Sequence, residues 1–161
     1  MTAQLTRPLM GHAEIRRVLP HRHPVLLVDQ VLELVPGERI TATKAISGSE
    51  PCFAGIAEDA PSAAYAFPVP LVVESFGQAG AILWLVGTPD AERHPGTLIF
   101  GAARHVVVHD RAHPGDVLTH TVRIDSAKGP NAFMTGEVRA GDRLIASVGS
   151  VLAVIREPDA L

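Results

Sequence analysis

The chain has 161 residues, is 47% hydrophobic and carries a formal net charge of −3 with its eight histidines neutral. That length suits one domain, 1–161, with a substantial core, and that composition excludes a disordered chain. No basic run stands out, which speaks against a nucleic-acid partner, and the lone cysteine, Cys52, excludes an intrachain disulfide.

Membrane, metal and nucleotide readings find as little support. Leu71 to Val86 is the longest apolar stretch, but Glu74 and Gln78 interrupt it short of the ~18 residues of a membrane span. The N-terminus, MTAQLTRPLMGHAEIRR, lacks the apolar core of a signal peptide, so the expected location is the cytoplasm. There is no CxxC or HExxH spacing for a metal, and no GxGxxG or Walker-type loop for a nucleotide.

Gly11 to Val18 suits a short helix with Ile15 and Val18 on one face. Pro20 and Pro24 enclose a turn, and Val25 to Leu34 is then a β-rich run that ends at Pro36-Gly37. Arg39 to Ser47 reads as the second strand. The stretch from Gly55 to Pro70 is irregular and alanine-rich, and long loops in compact domains are often functional.

Pro70 suits the first turn of a helix, where a missing N–H costs nothing, and the spacing predicts that helix over Pro70 to Val86. The segment is apolar nearly all round, the pattern of a helix buried on most sides. Gly77 and Gly80 lower its intrinsic propensity and suit close approach of another backbone. Thr97 to His109, Val117 to Asp125, Ala132 to Arg139 and Arg143 to Ile155 follow as strands joined by turns at 114–116, 128–131 and 140–142. Two strands, a buried helix and then four strands, the last runs forming an antiparallel meander by their short turns, predict an α+β fold with the sheet curled around the helix.

One carboxylate, Glu74, lies near the start of that helix among Leu71, Val72, Val73 and Phe76. An acid in such surroundings is costly unless it has a partner or a task. A helix-terminal carboxylate favoured by the macrodipole is the plainer reading of the same residue.

Two long segments carry a resemblance. Leu19 to Asp29 reads LPHRHPVLLVD and closely resembles the LPHRYPFLLVD signature of the FabZ-type β-hydroxyacyl-acyl carrier protein dehydratases. Phe67 to Gln78 reads FPVPLVVESFGQ and resembles their FPGVLxxEAxAQ helix start, while His113-Pro114-Gly115-Asp116 resembles the end of their third block. The similarity runs from about Leu19 to the last strand. It implies a hotdog fold, an antiparallel sheet wrapped around a long central helix, and a dimer with active sites at the subunit interface. It implies no cofactor, the substrate being carried on the phosphopantetheine of acyl carrier protein. The family's site pairs a His from a GHFP loop of one chain with a Glu on the helix of the other. One proton must leave C2 and one must join the departing hydroxyl; a histidine suits the first task and a carboxyl group the second.

Glu74 falls where the family has its Glu. The GHFP position reads Gly55-Ile56-Ala57-Glu58, so Ile56 stands in place of the family's His, and the loop to Phe67 is longer. Glu58, Asp59 and Tyr65 on that loop are candidates to stand in for it. Pro68, Val69 and Pro70 at the helix start, with Gln78 and His21, are expected near the substrate tunnel; Pro70 removes an N–H there that could polarise a thioester carbonyl.

Three functions follow as expectations. The first is a dehydratase subunit of fatty-acid or polyketide biosynthesis that gives Glu74 to a site completed by a His of a second hotdog chain, in a heterodimer. The second is a homodimeric hotdog acyl thioesterase using Glu74 as base or nucleophile. The third is an acyl-binding or scaffold protein without chemistry.

Overall fold

A computed structural model describes residues 8–89 and 95–157. Part of the N-terminal stretch read for a signal peptide lies outside the described residues, as does Asp90, the last of the four residues, 87–90, whose composition is expected to end the helix. The elements in chain order are α1 (His12–Val18), β1 (Gln30–Val35), β2 (Arg39–Ala45), α2 (Val69–Gly87), β3 (Thr97–Val108), β4 (Val117–Lys128), β5 (Asn131–Ala140) and β6 (Arg143–Arg156). Two short 3-10 turns, Pro51–Phe53 and Ser62–Tyr65, interrupt the long connection before α2.

The strands form one antiparallel sheet in the order β1-β2-β4-β5-β6-β3. The meander from β4 to β6 follows from its tight turns. The helix enters between β2 and β3, so β3 has to return to the far side of the meander and pair with β6. α2 packs most closely on β4 and β2 and touches every other strand of the sheet. The expected curled sheet around a central helix is the hotdog arrangement.

By length and composition α2 lies in a segment apolar enough to cross a membrane. Its apolar side chains, however, have a partner: Phe76, Ala79, Ile82 and Leu83 are fully enclosed by the sheet, beside Ile40, Leu118, Val122 and Val138. It is a core helix. It begins at Val69, one residue before the expected start, with Pro68 as N-cap and Pro70 within the first turn. It ends where Thr88 bonds back to the carbonyl of Trp84, through its backbone N–H at 3.0 Å and its hydroxyl at 2.7 Å.

Two expectations change. The first strand was expected from Val25 but begins at Gln30. Residues 25–28 are held by a side chain of α2 and by a turn, Val25 N–H and Leu26 N–H donating to Arg22 O, so their backbone groups are not free for a neighbouring strand. Gly77 and Gly80 do admit close neighbours, but side chains rather than a backbone; it is Gly87, at the helix end, that meets backbone, that of Gly37. A Cβ on Gly77 would lie 2.3 Å from the Phe100 ring, and one on Gly80 would lie 2.4 Å from Met134 Sδ.

Candidate active site

Glu74 lies in the second turn of α2, and Gln78 follows it one turn later on the same face. The Gln78 side chain is 1% exposed and fully used. Its Nε2 donates to Val25 O at 2.6 Å and to Glu74 Oε1 at 2.8 Å; its Oε1 accepts from Leu27 N–H at 2.8 Å. A buried amide is tolerable because both its ends are satisfied. One side chain thereby pins the segment after the first turn to the helix and fixes one oxygen of the carboxylate.

That segment carries His21. Leu19 is buried in the core, and the Arg22 guanidinium braces the turn by donating to Leu19 O at 2.8 Å and His21 O at 2.7 Å. The imidazole is thereby held over the helix, with Nε2 3.5 Å from Glu74 Oε1. The other ring nitrogen, Nδ1, is buried and has no partner among the described residues. His21 and Glu74 face an open cleft, also lined by Gly77, Gln78, Leu98 and Phe100. A half-buried acid, a histidine and an apolar wall converge on one concavity, the usual make-up of a small-molecule site.

Other expected site residues stand elsewhere. The Glu74 side chain keeps 35% exposure within this chain, so the burial expected for it is only partial: its neighbours Val72 and Phe76 point into the core while it points into the cleft. Ile56 packs against the hydrophobic core. Glu58 and Asp59 are exposed, and Tyr65 leans on Phe53 with ring centroids 5.9 Å apart. None of these four lines the cleft with Glu74. At the helix start, Val69 lines a separate crevice with Phe67, Val108 and Arg111, and Pro68 and Pro70 shape the first turn.

Sequence reasoning missed two features. The contact between His21 and Glu74 joins residues 53 positions apart, and nothing in their local sequence announces it. His120 had a local signal: it sits between Leu118 and Val122 on the inward face of β4, where a histidine interrupts an apolar alternation. It is completely buried, with neither ring nitrogen partnered among the described residues, and burial pushes its pKa down to about 3.

No family model matches the chain. Whole-length comparison with curated proteins does place it. A 3-hydroxyacyl-[acyl-carrier-protein] dehydratase FabZ of Macrococcus caseolyticus is 35% identical over 151 residues, covering 92% of this chain and 98% of the relative. The chain belongs to the FabZ family. The FabZ of Oenococcus oeni is 42% identical over 119 residues, covering 74% of this chain and 81% of its own. The family's fold is matched independently. A chain of the dehydratase heterocomplex ApeI:P from Xenorhabdus doucetiae superposes with a TM-score of 0.73 at 14% identity, over 96% of this chain and 94% of that one. This is a FabZ-type hotdog dehydratase chain, and its Glu74 and Gln78 stand in the stretch that resembles the FabZ helix motif.

Proposed function

We propose that the chain is a subunit of a cytoplasmic 3-hydroxyacyl-acyl carrier protein dehydratase of fatty-acid or polyketide biosynthesis, and that it supplies Glu74 as the acid while a second hotdog chain supplies the histidine. The observation that carries this reading is the division within this chain. Glu74 is oriented by Gln78 at an apolar cleft, whereas the GHFP position holds Ile56, packed on the core. An isoleucine neither takes nor gives a proton.

In the reaction the partner's histidine takes the proton from C2 of the thioester. The electrons of that C–H bond form the C2–C3 double bond, and the C3–O bond breaks. Glu74 gives its proton to the departing oxygen, which leaves as water. Both groups then return to their starting protonation states by exchange with solvent. No cofactor is needed beyond the substrate's own phosphopantetheine.

A second chain has a place to dock. β3 is an edge of the sheet over residues 97–108 and exposes Phe100, Val107 and Val108. An edge of that length with apolar side chains is a template for further pairing. The ApeI:P heterocomplex gives a precedent for unlike chains in one dehydratase of this fold.

The test is co-expression with a hotdog chain that has an intact GHFP loop, followed by assay of 3-hydroxyacyl-acyl carrier protein dehydration. The mixed complex should turn over and the chain alone should not. Glu74→Gln should lower the rate of the complex by about 10²-fold or more while leaving it assembled. Full turnover by this chain alone, or an unchanged rate for Glu74→Gln in the complex, would overturn the proposal.

A further inference from the structure

We infer that His21 is the positioning residue of Glu74: with Gln78 it occupies Oε1, and so places the carboxyl proton on Oε2 for delivery to substrate. The inference rests on the reading of Glu74 as the acid.

The geometry defines which nitrogen does the work. His21 Nδ1 is buried without an acceptor among the described residues, so a proton placed there would be a buried donor with nothing to bond. The neutral ring therefore keeps its proton on Nε2, the nitrogen that faces Glu74 Oε1 at 3.5 Å. Gln78 Nε2 donates to the same oxygen at 2.8 Å. The Gln78 N–H already takes this oxygen as its acceptor, and the His21 Nε2–H stands close enough to take it too when the site tightens, which keeps a proton off Oε1. The acidic O–H is left to Oε2, which carries neither contact. At 3.5 Å the His21 contact is longer than a closed hydrogen bond. Catalytic hydrogen bonds are often long without substrate and tighten when it binds.

The surrounding structure suits this duty. The imidazole cannot drift, because Arg22 braces its backbone on one side and Gln78 fixes residues 25–28 on the other. Both Glu74 and His21 open onto the cleft, so the pair acts where substrate would lie.

The test has two arms. In the chain alone, ¹⁵N-histidine NMR should show His21 with its proton on Nε2, its signals assigned through the His21→Gln variant. Glu74→Gln should then shift the His21 Nε2 resonance. A proton on Nδ1, or no response to Glu74→Gln, would overturn the inference whether or not any complex is active. In the active complex, His21→Leu should lower kcat roughly 10- to 100-fold, the scale of a misplaced catalytic group. KM should stay within about threefold, because the lost contact serves the transition state rather than binding. His21→Gln, which returns an N–H donor at similar reach, should recover most of kcat. Equal loss in both variants, or none in either, would overturn the positioning role. Failure of every complex to dehydrate would instead count against the proposed function and leave the NMR result standing.

Discussion

Gln78 joins Glu74 to the chain segment that carries His21: its amide nitrogen lies 2.8 Å from Glu74 Oε1 and 2.6 Å from Val25 O. The site is therefore assembled by a side chain and not by neighbouring backbone. Position 78 has to be polar although it is buried in the middle of an apolar helix, because Leu27 N–H has no strand to bond and takes the Gln78 oxygen instead.

Gln78→Leu should consequently lower stability despite adding apolar surface at a buried site. It leaves the buried Leu27 N–H unsatisfied, which costs about 1–3 kcal/mol, and it frees the 25–28 segment. Urea unfolding at neutral pH measures this. A midpoint equal to that of the parent chain would mean that the segment finds other partners.

Ile56→His should not make this chain a dehydratase on its own. Ile56 packs against the core at the start of a loop to Phe67 that is longer than the family's, and Pro70 leaves the helix start without an N–H. The change therefore exchanges apolar packing for a polar ring without restoring the loop length or the missing donor. Activity of the purified variant on 3-hydroxyacyl-acyl carrier protein should stay at the background of the parent chain. Turnover well above that background would show that the 55–67 loop delivers position 56 to a site.

Much of this was legible in the sequence because the governing patterns are local. Helix α2 announced itself by its all-round apolar character and Pro70, and the β4–β6 meander by its turns. Glu74 was legible as an acid at the start of that helix. What was not legible depends on distant partners. The 25–28 segment has strand composition, yet its donors and acceptors are claimed by Gln78, some fifty residues on, and by the turn at Arg22. His21 faces Glu74 only because of that same tie. The partial exposure of Glu74 likewise follows from which face of α2 the sheet covers, and the apolar neighbours in sequence turn out to point the other way.

Gly77 and Gly80 should respond differently to alanine. Either change gains about 1 kcal/mol of helix propensity. At Gly77 the new methyl meets the Phe100 ring, whose residue is 38% exposed and can swing outward. Gly77→Ala should be close to neutral in stability while altering the cleft that Phe100 lines. At Gly80 it meets Met134 Sδ, enclosed at 1% exposure, and overpacking a filled core costs about 1–3 kcal/mol. Gly80→Ala should be the less stable of the two in thermal unfolding. The opposite order would mean that Met134 has room to move.

His120 should make the fold sensitive to acid. The ring is completely buried, lies edge-on to Phe76 with centroids 6.5 Å apart, and is opposite Ala42 and Val138 on the adjacent strands. Its pKa falls from 6.5 to about 3, and the cause is desolvation of the charged ring. The folded value is thus below the unfolded one. Above pH 6.5 both states hold a neutral ring and the group has no effect. As pH falls from 6.5 toward 3 the unfolded chain takes up a proton that the folded chain refuses, and each pH unit removes about 1.4 kcal/mol. Asp110 acts in a lower window. A bond from Arg111 N–H and the Arg143 guanidinium hold its pKa below 3.8, so the stability it contributes is present above that value and lost beneath it. The interval from pH 6.5 to 5 lies above the Asp110 window, and the desolvation of His120 should remove roughly 2 kcal/mol there, read as the difference from a variant without this ring. His120→Leu, of similar bulk and matched to its apolar neighbours, should lack that loss and be at least as stable at pH 7, since it also removes a buried ring whose nitrogens have no partner among the described residues. Urea unfolding of both proteins at pH 7 and pH 5 decides it. Equal losses in the two would show that His120 reaches a proton in the folded state.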